Sequence, residues 1–418
     1  MKKYNYCRAA AILFSFTLII LSCNKSSEEE KIVLSPKKIA ITAEQEEIVS
    51  ASNNFGFILL NELMHDEQPG ANVFISPLSI QLALSMTLNG ARAETNDAMR
   101  QAMQFGDDMS MSEINSSFKN LMNELLSVDP KVTTEIANSI WYRNSFAVEQ
   151  NFIDLNAEYY NAEVKPLDFD SPDAKQIINQ WVNDKTMGKI PEIVDEISPD
   201  HVMFLINAIY FKGLWRSEFK PSETQQRPFY LYSGDTKSVP FMIQNNTFPF
   251  YQGENFMAAE LPYGRGNYSM IILLPDEGVL VNELLAGLNS MEWHQINGSL
   301  SPALLDIKLP KFKFSYEKNL NEMLSSMGMG IAFTDFADFS GINPESRLAI
   351  SRVKHKTFVE VSEEGTEAAA ATSVDIIVVS VPTVIDFEVN RPFVFAIREK
   401  YTNAILFIGV VNEPLIEN

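Results

Sequence analysis

One stretch near the C-terminus, residues 363–380, limits what this chain can fold into. Its sequence is EEGTEAAAATSVDIIVVS. The first half is small and Ala-rich, which favours helix, and the second half is β-branched, which favours strand. Read with a period of two, the whole stretch forms a strand with Glu367 and Asp375 on its outer face. The other face carries Thr366, Ala368, Ala370, Thr372, Val374, Ile376 and Val378.

Small residues lead that second face, as a strand requires if it is to enter a sheet that is already packed. The stretch therefore predicts a strand with one buried face. The alternative is a helix end that runs into an ordinary edge strand, and the stretch alone does not decide between the two.

The composition is that of a globular protein, with 418 residues, 46% of them hydrophobic and 21% charged. This length is compatible with two or three domains or with one large mixed fold. The formal net charge of −21 leaves no basic surface for nucleic acid, so nucleic-acid binding is excluded. The acidity favours neutral or cationic partners.

Residues 1–22 are predicted to be a lipoprotein signal peptide. A positively charged start precedes the apolar run 9–21, which is too short to span a bilayer comfortably. The run ends in Ile-Leu-Ser-Cys, which resembles a bacterial lipobox, so Cys23 is predicted to be diacylated. This would anchor the protein to the bacterial outer membrane, on its periplasmic face or at the cell surface. Plain secretion is the alternative, and in either case Cys7 is removed and no disulfide is expected.

Residues 23–40 are predicted to form a flexible tether. The sequence after Cys23 is polar and contains three consecutive glutamates at 28–30, a composition that does not support a packed core. The acidic run resembles the surface-export signals of some bacterial lipoproteins.

The first long helix is predicted over 42–65, with Thr42 as its cap and Gln45 three residues further on. A short strand then stops at Ser76, and the next helix is apolar almost all round, which predicts that it is central and buried. Ser76 and Ser79 would be buried hydroxyls that need hydrogen-bond partners. Neither serine lies in a Gly-x-Ser-x-Gly turn, so we reject a nucleophilic role.

Two strands carry single polar residues at positions that are expected to be buried. The run 202–211 is apolar on both faces and predicts a central strand, in which the Asn207 amide must find partners. The run 352–361 alternates, and His355 points inward among β-branched residues. We predict a core histidine there rather than a catalytic one. A buried hairpin is predicted at the C-terminus.

No motif for a catalytic or metal site occurs. The sequence lacks Gly-x-Gly-x-x-Gly, Walker, His-Glu-x-x-His and Cys-x-x-Cys patterns. The four histidines are scattered, at His65, His201, His294 and His355. We therefore expect no metal, no cofactor and no enzymatic activity.

Four segments together resemble one family, the serpins. The run 363–372 resembles the hinge of an inhibitory serpin's reactive-centre loop, and 387–397 resembles the family's C-terminal signature. The segments 74–80 and 205–215 are similar to the family's two other recognisable motifs. The four occur in family order and span nearly the whole chain beyond the tether.

This resemblance implies a single α+β domain over 41–418 with three β-sheets, about nine helices and an exposed reactive-centre loop at about 363–386. It implies that the main sheet opens to admit a strand around Ser76, Ser79, Asn207, His355 and Trp215. It also implies that the hinge of the loop consists of Glu364, Gly365, Thr366, Glu367, Ala368, Ala369, Ala370, Ala371 and Thr372.

The resemblance further implies a suicide inhibitor of serine proteases. A protease would cleave the loop, and the cleaved loop would insert into the main sheet before the acyl bond is hydrolysed. Family spacing puts the cut about fifteen residues after Gly365, between Val379 and Ser380, with the bonds Val378–Val379 and Ser380–Val381 still open. Valine before the cut suits an elastase-like protease.

The expected partner is thus an elastase-like serine protease, with a papain-like cysteine protease as a second candidate, and the expected state is a monomer. The alternative within the fold is a non-inhibitory carrier or chaperone-like binding protein. Bulky or charged residues at Thr366, Ala368 or Ala370 would favour that alternative, and none is present. Outside the fold, a surface lipoprotein hydrolase is the alternative, but it has no supporting motif.

Overall fold

The structure is a computed structural model that describes residues 35–366 and 383–416. None of the helices in these two ranges is long and apolar enough to cross a bilayer. A π-helical turn, Ser325–Met329, and a 3₁₀ turn, Gly330–Phe333, follow the last helix. The α-helices in the described ranges are α1 Ala43–Asp66, α2 Pro77–Leu88, α3 Ala93–Ala102, α4 Met111–Ser127, α5 Gln150–Tyr160, α6 Ala174–Lys185, α7 Val281–Ala286, α8 Ser290–Ser299 and α9 Asn321–Leu324.

The strands in the same ranges are β1 Val73–Ile75, β2 Val132–Arg143, β3 Glu163–Leu167, β4 Met203–Leu214, β5 Gln225–Tyr230, β6 Thr236–Gln252, β7 Phe256–Pro262, β8 Tyr268–Pro275, β9 Ser301–Pro310, β10 Phe312–Asn319, β11 Lys354–Ser362, β12 Gly365–Thr366, β13 Ile385–Glu388, β14 Phe393–Glu399 and β15 Ile405–Val411.

The strands form two hydrogen-bonded sheets. The six-stranded sheet has the order β10-β11-β12-β4-β2-β3, and the nine-stranded sheet has the order β1-β15-β14-β8-β7-β6-β9-β13 with β5 paired to β6. The α+β class and the number of helices that we predicted are confirmed. We expected three sheets, but two of them form one continuous sheet. The long strand β6 joins them, because it pairs with β9 over 241–250 and with β7 over 250–252.

Helix α1 begins where its sequence predicts. The Gln45 N–H donates to Thr42 Oγ1 (3.3 Å), and the Thr42 N–H donates to Gln45 Oε1 (2.8 Å), so the first turn is closed by a capping box. These two bonds satisfy donors that a helix N-terminus otherwise leaves free. The predicted helix over 42–65 is therefore confirmed, with α1 at Ala43–Asp66.

Helix α2 lies at the centre of the molecule. Ser76 caps it, Pro77 occupies its first turn, and nearly all of its residues are buried. It packs against β4 of the six-stranded sheet and against β15 of the nine-stranded sheet. The prediction of a buried central helix is confirmed, and α2 becomes the floor beneath the middle of the six-stranded sheet.

Residues 35–40 correct the predicted tether. The Asn267 side chain accepts a hydrogen bond from the Lys37 N–H (2.8 Å) and donates one to the Lys37 carbonyl (2.7 Å). Ile39 is buried. Because a buried amide partners this backbone, the last residues of the predicted tether belong to the folded body. The predicted signal peptide and the rest of the predicted tether, residues 1–34, lie outside the described residues.

Candidate functional site

The six-stranded sheet contains a slot between β4 and β11. At its top, β12 pairs antiparallel with both strands, with Thr366 opposite Val361 on β11 and opposite Gly213 on β4. Below Thr366, no ladder among the described residues joins β4 to β11. Two inner strand edges therefore face a space that is one strand wide at its top. Unpaired edges of this kind accept an additional strand.

Two cavities occupy the slot. The larger, of about 200 Å³, lies between residues 203–207 of β4 and residues 353–355 at the start of β11, with α2 beneath it. The smaller, of about 30 Å³, lies higher, between residues 209–211 of β4 and 358–360 of β11, and it reaches Thr366. The slot thus continues as open space below the point where β12 ends.

Gly365 fits the top of the slot because it has no side chain. Its φ is +147°, a conformation that other residues rarely adopt. A Cβ atom at this position would lie 2.2 Å from the Gly213 carbonyl oxygen and 2.7 Å from the Leu214 Cα. Since both neighbours are backbone atoms that cannot rotate away, the hinge glycine is required by the close approach of β12 to β4.

Thr366 is held by an aromatic pair. Its hydroxyl shares a hydrogen bond of 2.7 Å with the Tyr263 hydroxyl, and the Tyr263 ring stacks on Trp215 with centroids 4.5 Å apart. Burial raises the pKa of Tyr263 above its usual value, so the phenol stays protonated. Trp215 in turn donates from Nε1 to the Ser362 carbonyl (2.9 Å). The predicted residues Thr366 and Trp215 thus meet through Tyr263, which the sequence did not identify.

Glu363 anchors the chain just before the hinge. Its carboxylate accepts a hydrogen bond from Lys311 Nζ (2.7 Å) and another from Thr224 Oγ1 (2.8 Å). Partial burial raises the pKa of Glu363, but these two hydrogen bonds outweigh it and hold the pKa below its ordinary value. The sequence did not predict this ion pair, because Lys311 lies 52 residues from Glu363.

Four of the five predicted sheet-opening residues form one largely buried cluster, in which Asn207 is half-buried. The Ser76 N–H donates to His355 Nε2 (3.1 Å), the Ser79 N–H donates to Ser76 Oγ (3.3 Å), and the Ser79 hydroxyl donates to Asn207 Oδ1. The fifth residue, Trp215, lies at the top of the slot. Ser79, Asn207 and His355 line the larger cavity, so the cluster is the floor at mid-slot.

His355 is a neutral core histidine. Burial lowers its pKa to about 3. Its Nε2 accepts from a backbone N–H and not from a serine hydroxyl, so His355 is not placed to activate Ser76 or Ser79 as a nucleophile. The described residues contain no cluster of three or more His, Cys, Asp or Glu side chains that could hold a metal ion.

Two more residues of the cluster were not predicted. Asn138 on β2 lies directly opposite Asn207, and its Oδ1 accepts a hydrogen bond from the Asn207 side-chain amide (2.7 Å). Thr357 donates to the Phe74 carbonyl (2.6 Å), which ties β11 to β1. Asn138 could have been found from the sequence, because it is a second lone amide in a second strand of the same sheet.

Most of the remaining predicted site residues lie outside the described ranges. Of the hinge, Glu364, Gly365 and Thr366 lie in the described range. Outside the described residues lie Cys23, Glu367, Ala368, Ala369, Ala370, Ala371, Thr372, Val379 and Ser380. The predicted loop, about 363–386, ends in the described chain at β13, which pairs with β9 from Ile385 onward.

Comparison with known proteins gives a consistent result. A family profile described as Serpin (serine protease inhibitor) matches residues 50–414. Serpin B11 of Homo sapiens is 36% identical over 368 residues, covering 82% of this chain and 94% of that protein. Leukocyte elastase inhibitor of Sus scrofa is 35% identical over 384 residues, covering 88% of this chain and 100% of that protein. The crystal structure of a thermophilic serpin, tengpin, in the native state has a TM-score of 0.80 at 35% identity, covering 90% of this chain and 96% of that one.

An α+β body whose six-stranded sheet has a strand-wide slot below Gly365 and Thr366 fits the class of proteins that this profile describes, the serine protease inhibitors. The chain belongs to the serpin family. The family resemblance found in the sequence is thereby confirmed, and it supports protease inhibition as the general function, with serine proteases as the targets of its relatives.

Proposed function

We propose that this protein inhibits elastase-like serine proteases as a suicide substrate. The observation that carries the proposal is that Gly365 and Thr366 pair as a strand between β4 and β11. A protease attacks the loop as a substrate, and its serine becomes acylated. The cleaved loop then continues β12 down the slot, which moves the acylated protease away and distorts its active site before hydrolysis.

The register of β12 supports the insertion. Thr366 pairs with Gly213 and with Val361, so the sixth residue further along the loop, Thr372, would lie opposite Asn207 and His355. These are the residues of the buried cluster that line the larger cavity. The loop's threonine would thus reach the polar floor of the slot.

The same register explains why the inward face of the loop begins with small side chains. Ala368 would lie between Phe211 and Val359, and Ala370 between Ile209 and Thr357. These four neighbours are buried, so a large side chain at either alanine would overpack the slot. The carrier alternative would not require alanines at these positions.

The free-energy gain is large enough to drive the step. Met203, where β4 begins, is ten residues before Gly213, so ten loop residues beyond Thr366 can pair along β4. Each net hydrogen bond contributes about 0.5–1.5 kcal/mol, and apolar burial adds roughly 25 cal/mol per Å². The total is on the order of 10 kcal/mol, so the native form is a metastable state held kinetically.

The specificity follows from the sequence of the loop. A cut between Val379 and Ser380, or one bond to either side, presents a valine or serine to the protease, which suits a small, shallow pocket. No Arg or Lys lies between Thr366 and Pro382, which argues against trypsin-like targets. A relative that is named leukocyte elastase inhibitor supports the elastase-like class. Papain-like cysteine proteases are secondary targets in this proposal.

The proposal also includes the place of action. Diacylation of Cys23 would hold the inhibitor at the bacterial outer membrane, where it meets either the cell's own proteases or those of the surroundings. Mass spectrometry of the mature N-terminus tests the lipid: a diacylated Cys23 is expected, and an unmodified N-terminus elsewhere would remove the anchor from the proposal.

The test of the main proposal is complex formation. The purified protein is mixed with pancreatic elastase and analysed on a denaturing gel, where we expect a stable band near the summed mass. Mass spectrometry of the released C-terminal fragment identifies the cut bond. The variant Thr366→Arg is expected to be cleaved without forming the complex, since a buried charge at the hinge blocks insertion. Cleavage of the wild type without a complex would reject the trap.

A further inference from the structure

The segment between α6 and β4, residues 186–197, covers the slot and is called the strap here. Ile190 and Val194 of the strap pack on Ile206 and Ala208, which lie on the face of β4 opposite α2. Residues 193–196 line the larger cavity, and Thr186, Lys189 and Ile190 line the smaller one. The strap is therefore the outer wall of both cavities, while β4 and β11 are their sides.

The strap is fixed to β4 by apolar contacts and to α6 by an amide. Asn179 of α6 accepts hydrogen bonds from the N–H groups of Ile193 and Val194 (both 2.9 Å) and donates to the Val194 carbonyl (2.8 Å). Asn179 and Val194 are buried. On this side the strap is thus held by satisfied, buried groups that would be costly to separate.

On the other side of the slot the strap is held by ion pairs to β11 and to the chain just before it. Asp195 pairs with Arg352 (2.9 Å) and with Lys354 (2.6 Å), and Glu196 pairs with Arg352 (3.4 Å). Higher up, Lys189 lies 3.7 Å from Glu360. The ion pairs therefore cross the slot, from the β4 side to the β11 side.

Arg352 and Lys354 differ in what they do when the strap moves. Lys354 also pairs with Glu317 of β10 (2.6 Å), so it keeps a partner without the strap. Among the described residues, the acidic partners of Arg352 are Asp195 and Glu196, both on the strap. The Arg352 side chain is 35% exposed and that of Asp195 is 49% exposed, so these pairs are weak enough to open.

We propose that Arg352 is the latch of the strap, and that opening its pairs with Asp195 and Glu196 limits the rate at which a strand enters the slot. The inference rests on the proposed function, because the entering strand is the cleaved loop. A strand that carries a protease at its end cannot be threaded lengthwise through a closed space. The strap must swing away while it stays attached on the β4 side, and the latch is the attachment that opens.

Uptake of a synthetic peptide with the sequence of residues 367–378, which begins just beyond the Thr366 that already pairs at the top of the slot, tests the latch directly, because the peptide fills the slot without a protease. Its incorporation into the purified full-length protein is followed by native gel or mass spectrometry. We expect Arg352→Ala to take up the peptide about 3- to 10-fold faster than the wild type, the range given by the loss of two partly exposed pairs. Arg347→Ala is the matched control, since Arg347 is exposed and forms no ion pair with a described residue. It should leave the rate within about twofold of the wild type.

Two further variants separate the latch from a general loss of stability. Asp195→Asn combined with Glu196→Gln should accelerate uptake at least as much as Arg352→Ala does, because it also removes the pair between Asp195 and Lys354. Arg352→Lys, which keeps a cation beside Asp195 and Glu196, should keep the rate within about twofold of the wild type. Equal uptake by Arg352→Ala and Arg347→Ala would overturn the latch, as would an Arg352→Lys variant that takes up the peptide as fast as Arg352→Ala does. No uptake by any variant would also overturn it, since the slot would then not admit a strand.

The assay distinguishes the latch from the proposed function. If elastase cleaves the protein without forming a complex while Arg352→Ala still accelerates peptide uptake, the trap fails and the latch stands. If the complex forms with elastase and Arg352→Ala changes neither uptake nor the yield of complex, the latch fails and the trap stands.

Discussion

The top and the middle of the slot between β4 and β11 are built in different ways. At the top, β12 fills the space between β4 and β11, and the hinge is held by Tyr263, Trp215 and the Glu363–Lys311 pair. At mid-slot, the same two strands lie on either side of a cavity of about 200 Å³. In the proposed insertion, the top would fix the register of the entering strand, and the unpaired edges in the middle would supply the driving force.

Replacement of Gly365 should produce the largest effect, because it breaks the close packing at the top. Gly365→Ala combines backbone strain at φ +147° with a clash 2.2 Å from the Gly213 carbonyl, and we expect a loss of about 3 kcal/mol in the free energy of unfolding. Urea unfolding at pH 7 measures it.

Gly278→Ala separates strain from packing. Gly278 also has a positive φ, +86°, but a Cβ there would meet no atom within 4 Å. Gly278→Ala should lower the free energy of unfolding by only about 1 kcal/mol. Equal losses in the two variants would show that β12 does not approach β4 as closely as the structure places it.

The middle of the slot should be the acid-sensitive part, because His355 is buried and neutral there. Its pKa is lowered to about 3, against about 6.5 in an unfolded chain. Between these values the unfolded state binds a proton that the native state does not, so native stability falls as the pH falls below about 6.5. The slope is about 1.4 kcal/mol per pH unit, or about 2 kcal/mol by pH 5.

His355→Gln should remove that part of the acid sensitivity, since the Gln side chain carries no titrating group. The measurement is the difference between pH 7 and pH 5 in unfolding free energy, compared with the wild type. His294→Gln, at an exposed position of α8, is the control and should keep the acid sensitivity of the wild type. If both variants behave alike, His355 does not titrate as a buried group.

Glu363→Gln weakens the top of the slot by a smaller amount. The substitution leaves the partly exposed Lys311 ammonium with a neutral partner. We therefore expect the free energy of unfolding at pH 7 to fall by about 1–2 kcal/mol. The pKa of Glu363 is held below its usual value, so its contribution is present above about pH 4.5 and is lost as the pH falls through the lowered pKa. The difference in urea midpoint between wild type and variant should therefore shrink as the pH falls below about 4.5. A constant difference from pH 7 to pH 3 would contradict the ion pair.

These residues also show how far the sequence could be used for prediction. The inward position of His355 and the buried face at Thr366 followed from period-two alternation, which is a local property. The hinge, the Ser76 cluster and the family followed from resemblance. The partners of those residues could not be predicted, because Lys311 lies 52 residues from Glu363 and Tyr263 lies 103 residues from Thr366. Such pairs are set by the packing of distant strands, and a single sequence carries no signal for them.

The smallest expected effect is the loss of the Tyr263 hydroxyl, and it tests whether the top fixes the register through Thr366. Tyr263→Phe keeps the ring stacked on Trp215 and removes only the hydrogen bond to Thr366 Oγ1. We expect a loss of about 1 kcal/mol in unfolding free energy. Thr366→Val should lose a similar amount, and the double variant should lose little more than either one, because both delete the same bond. A double-mutant cycle by urea unfolding measures the coupling. Additive losses would mean that Thr366 is held at the top by its backbone pairing with β4 and β11 and not by the aromatic pair.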